Sequence, residues 1–141
     1  MEKISVFLDT NVIIASLLSN SGASSQIIKN PKLNKIISKT VKEEILEVSI
    51  RLNLNHVLIN SQLDKYKIIT PKITKKVLEN TYGKFVFDQE DSHVVAGTHS
   101  SKTKFLITHN LKHFNINRIN SNMGIIVLTP GNFLQYLRSL K

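Results

Sequence analysis

Five short apolar runs, each four or five residues long, alternate with stretches whose hydrophobic residues recur at helical spacing. That alternation constrains the fold most, because continuous Val, Ile, Leu and Phe runs mark strands buried on both faces, and such strands belong to parallel sheets with helical crossovers. The runs cover residues 4–8, 35–38, 84–87, 105–108 and 124–128. Between them, Val12, Ile13, Leu17 and Leu18 form one helical face with Thr10 as its expected N-cap, and a second short helix is expected over 24–28 after the Ser-Asn-Ser-Gly break. A helix over 40–52 places Val41, Ile45, Val48 and Leu52 on one face, with Thr40 and Glu43 spaced as a capping box. Helices are also expected over 90–100 and from Pro130, where Phe133, Leu134 and Leu137 form the apolar stripe. The signal is weakest over 54–81, where helices are expected at 61–69 and 74–78 around Pro71. The resulting expectation is one α/β domain over residues 1–141, three layers deep, with a central mostly parallel β-sheet flanked by helices.

A chain of 141 residues can bury a single sizeable core, and 41% hydrophobic with 21% charged residues is ordinary for a globular domain. The absence of cysteine excludes disulfide scaffolds, thiolate nucleophiles and Cys-type zinc or iron–sulfur sites, so any metal must sit on oxygen or imidazole. No apolar run reaches membrane-spanning length and Asp9 interrupts the first one, giving a cytoplasmic expectation with no membrane role. Lys and Arg total 19 against 10 acids, a net charge of +9 that suits a polyanionic partner, although a lysine-rich, isoleucine-rich and asparagine-rich profile is also what biased codon usage produces. Phosphate-binding glycine loops, nucleophile elbows and RNP motifs are all missing from the sequence, which excludes nucleotide-cofactor, α/β-hydrolase and RRM readings.

The acids are not scattered. In open parallel sheets ligands bind beyond the carboxyl ends of the strands, and Asp9 directly follows the first run, Glu43 and Glu44 lie in the first turns after the second, and Asp88, Glu90 and Asp91 follow the third. Each alone is an ordinary helix-start acid favoured by the helix dipole. Converging on one cleft, they would repel one another and call for a hard divalent cation, Mg²⁺ or Mn²⁺, of the kind that activates water and neutralises charge on a phosphate. An acidic metal cleft in a basic molecule describes a nuclease.

Those residues also carry a resemblance. Residues 7–12 (Phe-Leu-Asp-Thr-Asn-Val) resemble the opening motif of PIN-domain ribonucleases, and residues 88–96 (Asp-Gln-Glu-Asp-Ser-His-Val-Val-Ala) are similar to their central acidic motif. Residues 105–114 resemble the family's late strand-and-turn motif, residues 128–134 the C-terminal motif of its toxin (VapC-like) subgroup, and residues 38–48 the second acidic motif. The resemblance implies a PIN-like fold and metal-dependent cleavage of RNA, with Asp9, Glu44 and Asp91 as catalytic acids and metal ligands. It prefers Glu44 over Glu43 and Asp91 over Asp88 or Glu90. Thr10, Asn11 and Thr108 would be supporting polar groups. Many relatives carry a further Asp where this chain has Asn110, which keeps an oxygen donor but loses a charge and makes a weaker metal ligand. The implied setting is the toxin of a type II toxin–antitoxin pair, a homodimer held in check by a small antitoxin protein.

Lys39, Lys42, His93 and Lys112 are candidate RNA contacts, since phosphate recognition needs only positive charge and donors. His109 and His113, four apart, would suit zinc on a helix, but they follow a strand as a turn and read as ordinary hydrogen-bonded histidines. Two other functions remain consistent with the residues: a catalytically silent scaffold that binds RNA or protein, prompted by Asn110, and a structure-specific DNA nuclease, since metal-assisted hydrolysis does not need a 2′-hydroxyl.

Overall fold

The computed structural model describes residues 3–140; Met1, Glu2 and Lys141, the ends of the span read as one domain, lie outside the described residues. Five strands, β1 (Ile4–Leu8), β2 (Leu33–Ser38), β3 (Lys67–Ile69), β4 (Phe105–Ile107) and β5 (Ile126–Leu128), form one sheet in the order β3-β2-β1-β4-β5. Every pairing is parallel, with Ser5 opposite Asn34, Phe7 opposite both Ile36 and Leu106, and Ile36 opposite Lys67. The connections are helical: α1 (Thr10–Leu18), α2 (Ala23–Lys29), α3 (Lys39–Arg51), α4 (His56–Leu63), α5 (Lys75–Val77), α6 (Ser92–Ser100), α7 (Ile116–Met123) and α8 (Pro130–Ser139). Helices cover both sheet faces, which gives the three-layer arrangement expected from the alternating runs. Phe7, Leu8, Ile37, Leu106, Ile107 and Phe133 are fully buried between the layers. Phe105, Phe133 and Tyr136 close the α8 side with ring centroids 5.0–6.1 Å apart.

Several local expectations are corrected. Asp9, not Thr10, caps α1: its backbone is extended and its side chain accepts from the Thr10 N–H. Ser38 caps α3 by accepting from Val41 N, so the Thr40–Glu43 capping box does not form; the last residue of β2 is itself the cap, and the strand runs straight into the helix. The expected helix over 61–69 divides into the end of α4 and the edge strand β3, because Leu63, Tyr66 and Ile69 recur at a spacing that imitates a helical face. The run 84–87 is not a sheet strand. Phe85 and Val86 are buried, but Val86 meets only Phe114 in an isolated antiparallel bridge, and a 3₁₀ turn precedes it. Helix α7 is not among the expected elements, although Ile116, Ile119 and Met123 pack on the core at helical spacing; it is capped by Asn115 and ended by Gly124 in the left-handed conformation.

Gly97 is a close-approach glycine. A Cβ there would stand 2.6 Å from Cζ of the fully buried Phe7 ring, which has no space to retreat into. Gly97→Ala should therefore destabilise the protein by about 1–3 kcal/mol through overpacking, read as a lowered urea midpoint with an unchanged m-value. An unshifted midpoint would show that β1 and α6 are less tightly packed than this contact requires.

Candidate active site

Asp9 stands at the carboxyl end of β1, where its N–H donates to the Ile107 carbonyl at 3.0 Å and so continues the β1–β4 pairing one residue past the strand. Its carboxylate, only 6% exposed, is held by a set of protein donors. Thr10 N–H donates to Oδ1 at 2.8 Å, while Thr108 Oγ1 and Asn11 Nδ2 donate to Oδ2 at 2.8 and 3.1 Å. Thr108, fully buried at the end of β4, also accepts from Asn110 N–H at 3.1 Å, and Asn11 Oδ1 accepts from His109 N–H at 3.0 Å. These bonds tie the two central strand ends to a single carboxylate.

Glu44 approaches from α3. Thr10 Oγ1 donates to its Oε1 at 2.7 Å, and His93 Nε2 lies 3.3 Å from Oε2. His93 Nδ1 is buried without a hydrogen-bond partner among the described residues. Asp91 reaches the site from the 3₁₀ turn Gln89–Asp91 ahead of α6, with His113 Nδ1 3.0 Å from its Oδ2. Asp88 caps that turn, accepting from Glu90 N–H.

These elements surround a cleft of about 680 Å³ that contains six of the chain's ten acids: Asp9, Glu44, Glu47, Asp88, Glu90 and Asp91. The structure thus brings the predicted acids together with Thr10, Asn11 and Asn110, all of which line the cleft. Glu43 is exposed outside it. Thr108 lies beneath the floor and His93 behind Glu44, whereas Lys39, Lys42 and Lys112 do not line the cleft. Three titratable lining residues were missed: Glu47 and Arg51, which follow Glu44 by three and seven positions and so share its helical face, and His113, which the sequence offered only as the partner of His109. His109 instead bonds Ser24 Oγ at 2.9 Å, and His99 bonds the Tyr82 hydroxyl at 2.8 Å.

Electrostatics distinguish the three acids. Burial is the main cause that pushes the Asp9 carboxyl above its ordinary value, with Glu44 adding to it against the hydrogen bonds of Thr108 and Thr10. Asp91 is raised by burial and then by Asp9, with His113 opposing. Burial also pushes Glu44 upward, but the His93 and Thr10 hydrogen bonds outweigh it and leave the carboxyl below its ordinary value. Asp9 and Asp91 therefore bind protons more tightly folded than unfolded, and their ionisation costs stability as pH rises above 3.8. His113→Ala removes the opposing contribution, and should move the Asp91 titration further upward in a carboxyl-carbon NMR experiment; a downward or null shift would mean the imidazole does not act on that carboxylate.

The donor set fits a hard divalent cation. It consists of carboxylate and amide oxygens with no thiolate, and Asp9 is a buried carboxylate with like charges beside it and no ion pair of its own among the described residues. Among the described residues no group of three or more carboxylates or imidazoles is already gathered closely enough to hold an ion. Mg²⁺ does not require such a cage, since it keeps several waters and takes one or two protein carboxylates plus phosphate oxygens.

The sequence profile of the PIN domain family matches residues 5–112. Two solved structures share the fold: VapBC2 from Rickettsia felis bound to a DNA fragment from their promoter, at 18% identity and TM-score 0.58, covering 89% of this chain and 98% of that one; and FitAB bound to an IR36 DNA fragment, at 17% identity and TM-score 0.58, covering 89% and 94%. No curated protein matches the chain significantly.

Proposed function

The chain belongs to the PIN domain family, and from that premise we propose that it is a metal-dependent endoribonuclease acting as the toxin of a toxin–antitoxin pair. The observation that carries this reading is the buried Asp9 at the tip of β1, flanked by Glu44 and Asp91 in a six-acid cleft of a molecule whose net charge is +9. A solvated helix-start acid would have no reason to be buried among other acids. The likeness to VapBC2 and FitAB supports an antitoxin protein as partner, with a homodimer as the expected assembly. Among the described residues no helix is long and apolar enough to cross a membrane.

Asp9, Glu44 and Asp91 would hold Mg²⁺ or Mn²⁺, with Asn110 in the same cleft as a weaker oxygen donor. Such an ion supplies acidity to water and positive charge opposite the phosphate. The chain's own residues supply position. Thr108, Asn11 and Thr10 N–H hold the Asp9 carboxylate, Thr10 and His93 hold Glu44, and His113 holds Asp91, so that no acid must be ordered when substrate arrives. In-line attack by water oxygen forms the new P–O bond as the bond to the 3′-oxygen breaks, leaving 5′-phosphate and 3′-hydroxyl ends. Glu44, held below its ordinary value, stays ionised and suits holding a cation, whereas the Asp91 carboxylate, raised by burial and by Asp9, is the stronger acceptor for the water proton, and the departing 3′-oxygen takes a proton from solvent.

Asn110 supports a second reading, a silent domain that binds RNA without cutting it. Labelled single-stranded RNA and matched DNA, incubated with Mn²⁺, Mg²⁺ or EDTA, separate the two. RNA cutting abolished by EDTA and restored by excess Mn²⁺ is expected. RNA binding without turnover in either metal would establish the silent domain, and cutting of DNA alone would redirect the substrate assignment.

A further inference from the structure

Among the described residues no lysine or arginine is paired with a carboxylate, and both ion-pair contacts present use histidine. The positive charge is therefore free for a partner, and in one place it is concentrated. Lys3, Lys35, Lys65 and Lys67 line a groove of about 580 Å³ at the amino-terminal ends of β1, β2 and β3, and no acid is among the described residues that line it. Its floor is polar: Ser5 and Asn34 face each other across β1 and β2, and Asn34 Nδ2 donates to Ser5 Oγ at 3.4 Å. Lys35 is committed to the fold, donating to the Ile28 and Asn30 carbonyls at the end of α2. Lys3, Lys65 and Lys67 are exposed, and among the described residues their ammonium groups have no hydrogen-bond partner. Their closeness is felt by Lys35, whose ammonium is lowered first by burial and then by Lys65 and Lys3.

We propose that this groove seats the phosphodiester backbone of a single nucleic-acid strand, as a second contact separate from the acidic cleft. The span favours a strand over a small anion. From β1 to β3 is two strand spacings, about 10 Å, which matches about three nucleotide steps at roughly 3.4 Å per stacked nucleotide. The groove lies at the opposite end of β1 from Asp9: four residues of strand separate Ser5 from Asp9, about 13 Å. A strand must exceed about four stacked nucleotides to occupy both. Lysine ammonium groups on phosphates carry no base information, so the groove adds affinity for length and not for sequence. That the strand is the substrate rests on the nuclease reading; that the groove binds a backbone does not.

The test is equilibrium binding of a fluorescein-labelled 20-nucleotide RNA, and of the same sequence as DNA, to the full chain in EDTA across a salt series. The Lys3→Gln, Lys65→Gln, Lys67→Gln triple variant is compared with a charge-matched control triple, Lys75→Gln, Lys76→Gln, Lys84→Gln. The groove variant should lose at least tenfold in affinity at low salt for both strands, with the salt slope reduced by about two, as three lost phosphate contacts predict. The control should change less than threefold. Groove and control variants losing affinity equally, or a groove variant with the parental slope, overturns the proposal. With Mn²⁺ present, the groove variant should raise KM for the 20-mer with kcat unchanged, and leave cleavage of a tetranucleotide untouched. A parent that cuts no RNA defeats the nuclease reading, while the binding series still decides the groove.

Discussion

Asp9→Asn is expected to lower RNA cleavage by about 10²–10³-fold, the range seen when one preorganised electrostatic group is removed from a reacting centre, while the protein folds normally. Asn keeps the size and one oxygen acceptor but loses the charge that would hold a divalent ion. A second readout separates loss of function from loss of fold. Burial and Glu44 raise the Asp9 carboxyl, so its ionisation opposes folding above the ordinary carboxylate range, and removing the charge removes that penalty. In metal-free buffer at pH 7 the variant should melt no lower than the parent, and any gain should vanish as pH falls below 3.8, where the parent's carboxyl is protonated in both the folded and the unfolded state. Added Mn²⁺ should raise the melting temperature of the parent more than that of the variant. Full cleavage by the variant would remove Asp9 from the machinery; a collapsed fold at pH 7 would show that the carboxylate's hydrogen bonds outweigh its burial.

Thr108→Val tests how that acid is held. The hydroxyl is fully buried, donates to Asp9 Oδ2 at 2.8 Å and accepts from Asn110 N–H at 3.1 Å. Valine matches its shape but deletes both bonds, leaving the 110 turn and the Asp9 carboxylate each short of a partner. Loss of a group that orients a metal ligand typically costs 10–100-fold in metal affinity, so Mn²⁺ titrations should weaken by about that factor, with a matching rise in the Mn²⁺ needed for half-maximal cleavage. Thr108→Ser keeps the hydroxyl and should stay near the parent. Equal Mn²⁺ affinity in all three proteins would assign Thr108 to packing alone.

Legibility in the sequence tracked how far an element's environment is set by its own residues. The strands β1, β2, β4 and β5 were readable because they are short, apolar and buried on both faces, and α8 because Pro130 and the Phe133, Leu134, Leu137 stripe mark its start and its buried face. The edge strand β3 was not, since its three residues, Lys, Ile and Ile, acquire strand geometry only by pairing with Ile36, Ile37 and Ser38 of β2. The run 84–87 was misread for the converse reason. Its apolar side chains do enter the interior, but packing and one bridge to Phe114 hold them, and no sheet edge is there to receive them. Helix α7 does carry a periodic apolar face, Ile116, Ile119 and Met123, but the asparagines and serine between them read as a loop.

For the site, the sequence by itself determined which chemistry was available. Without cysteine, and with acids placed directly after the first two apolar runs and ahead of α6, only hard-cation or proton chemistry on carboxylates could follow, and parallel strands necessarily point their ends the same way. What the sequence could not decide was which acid is buried, which imidazole meets which carboxylate, and where the lysines gather. Those depend on separations of 22 residues between His113 and Asp91, 49 between His93 and Glu44, and 99 between Thr108 and Asp9. Only the tertiary structure closes such distances, because strand order and helix packing set them, and burial then decides each group's charge.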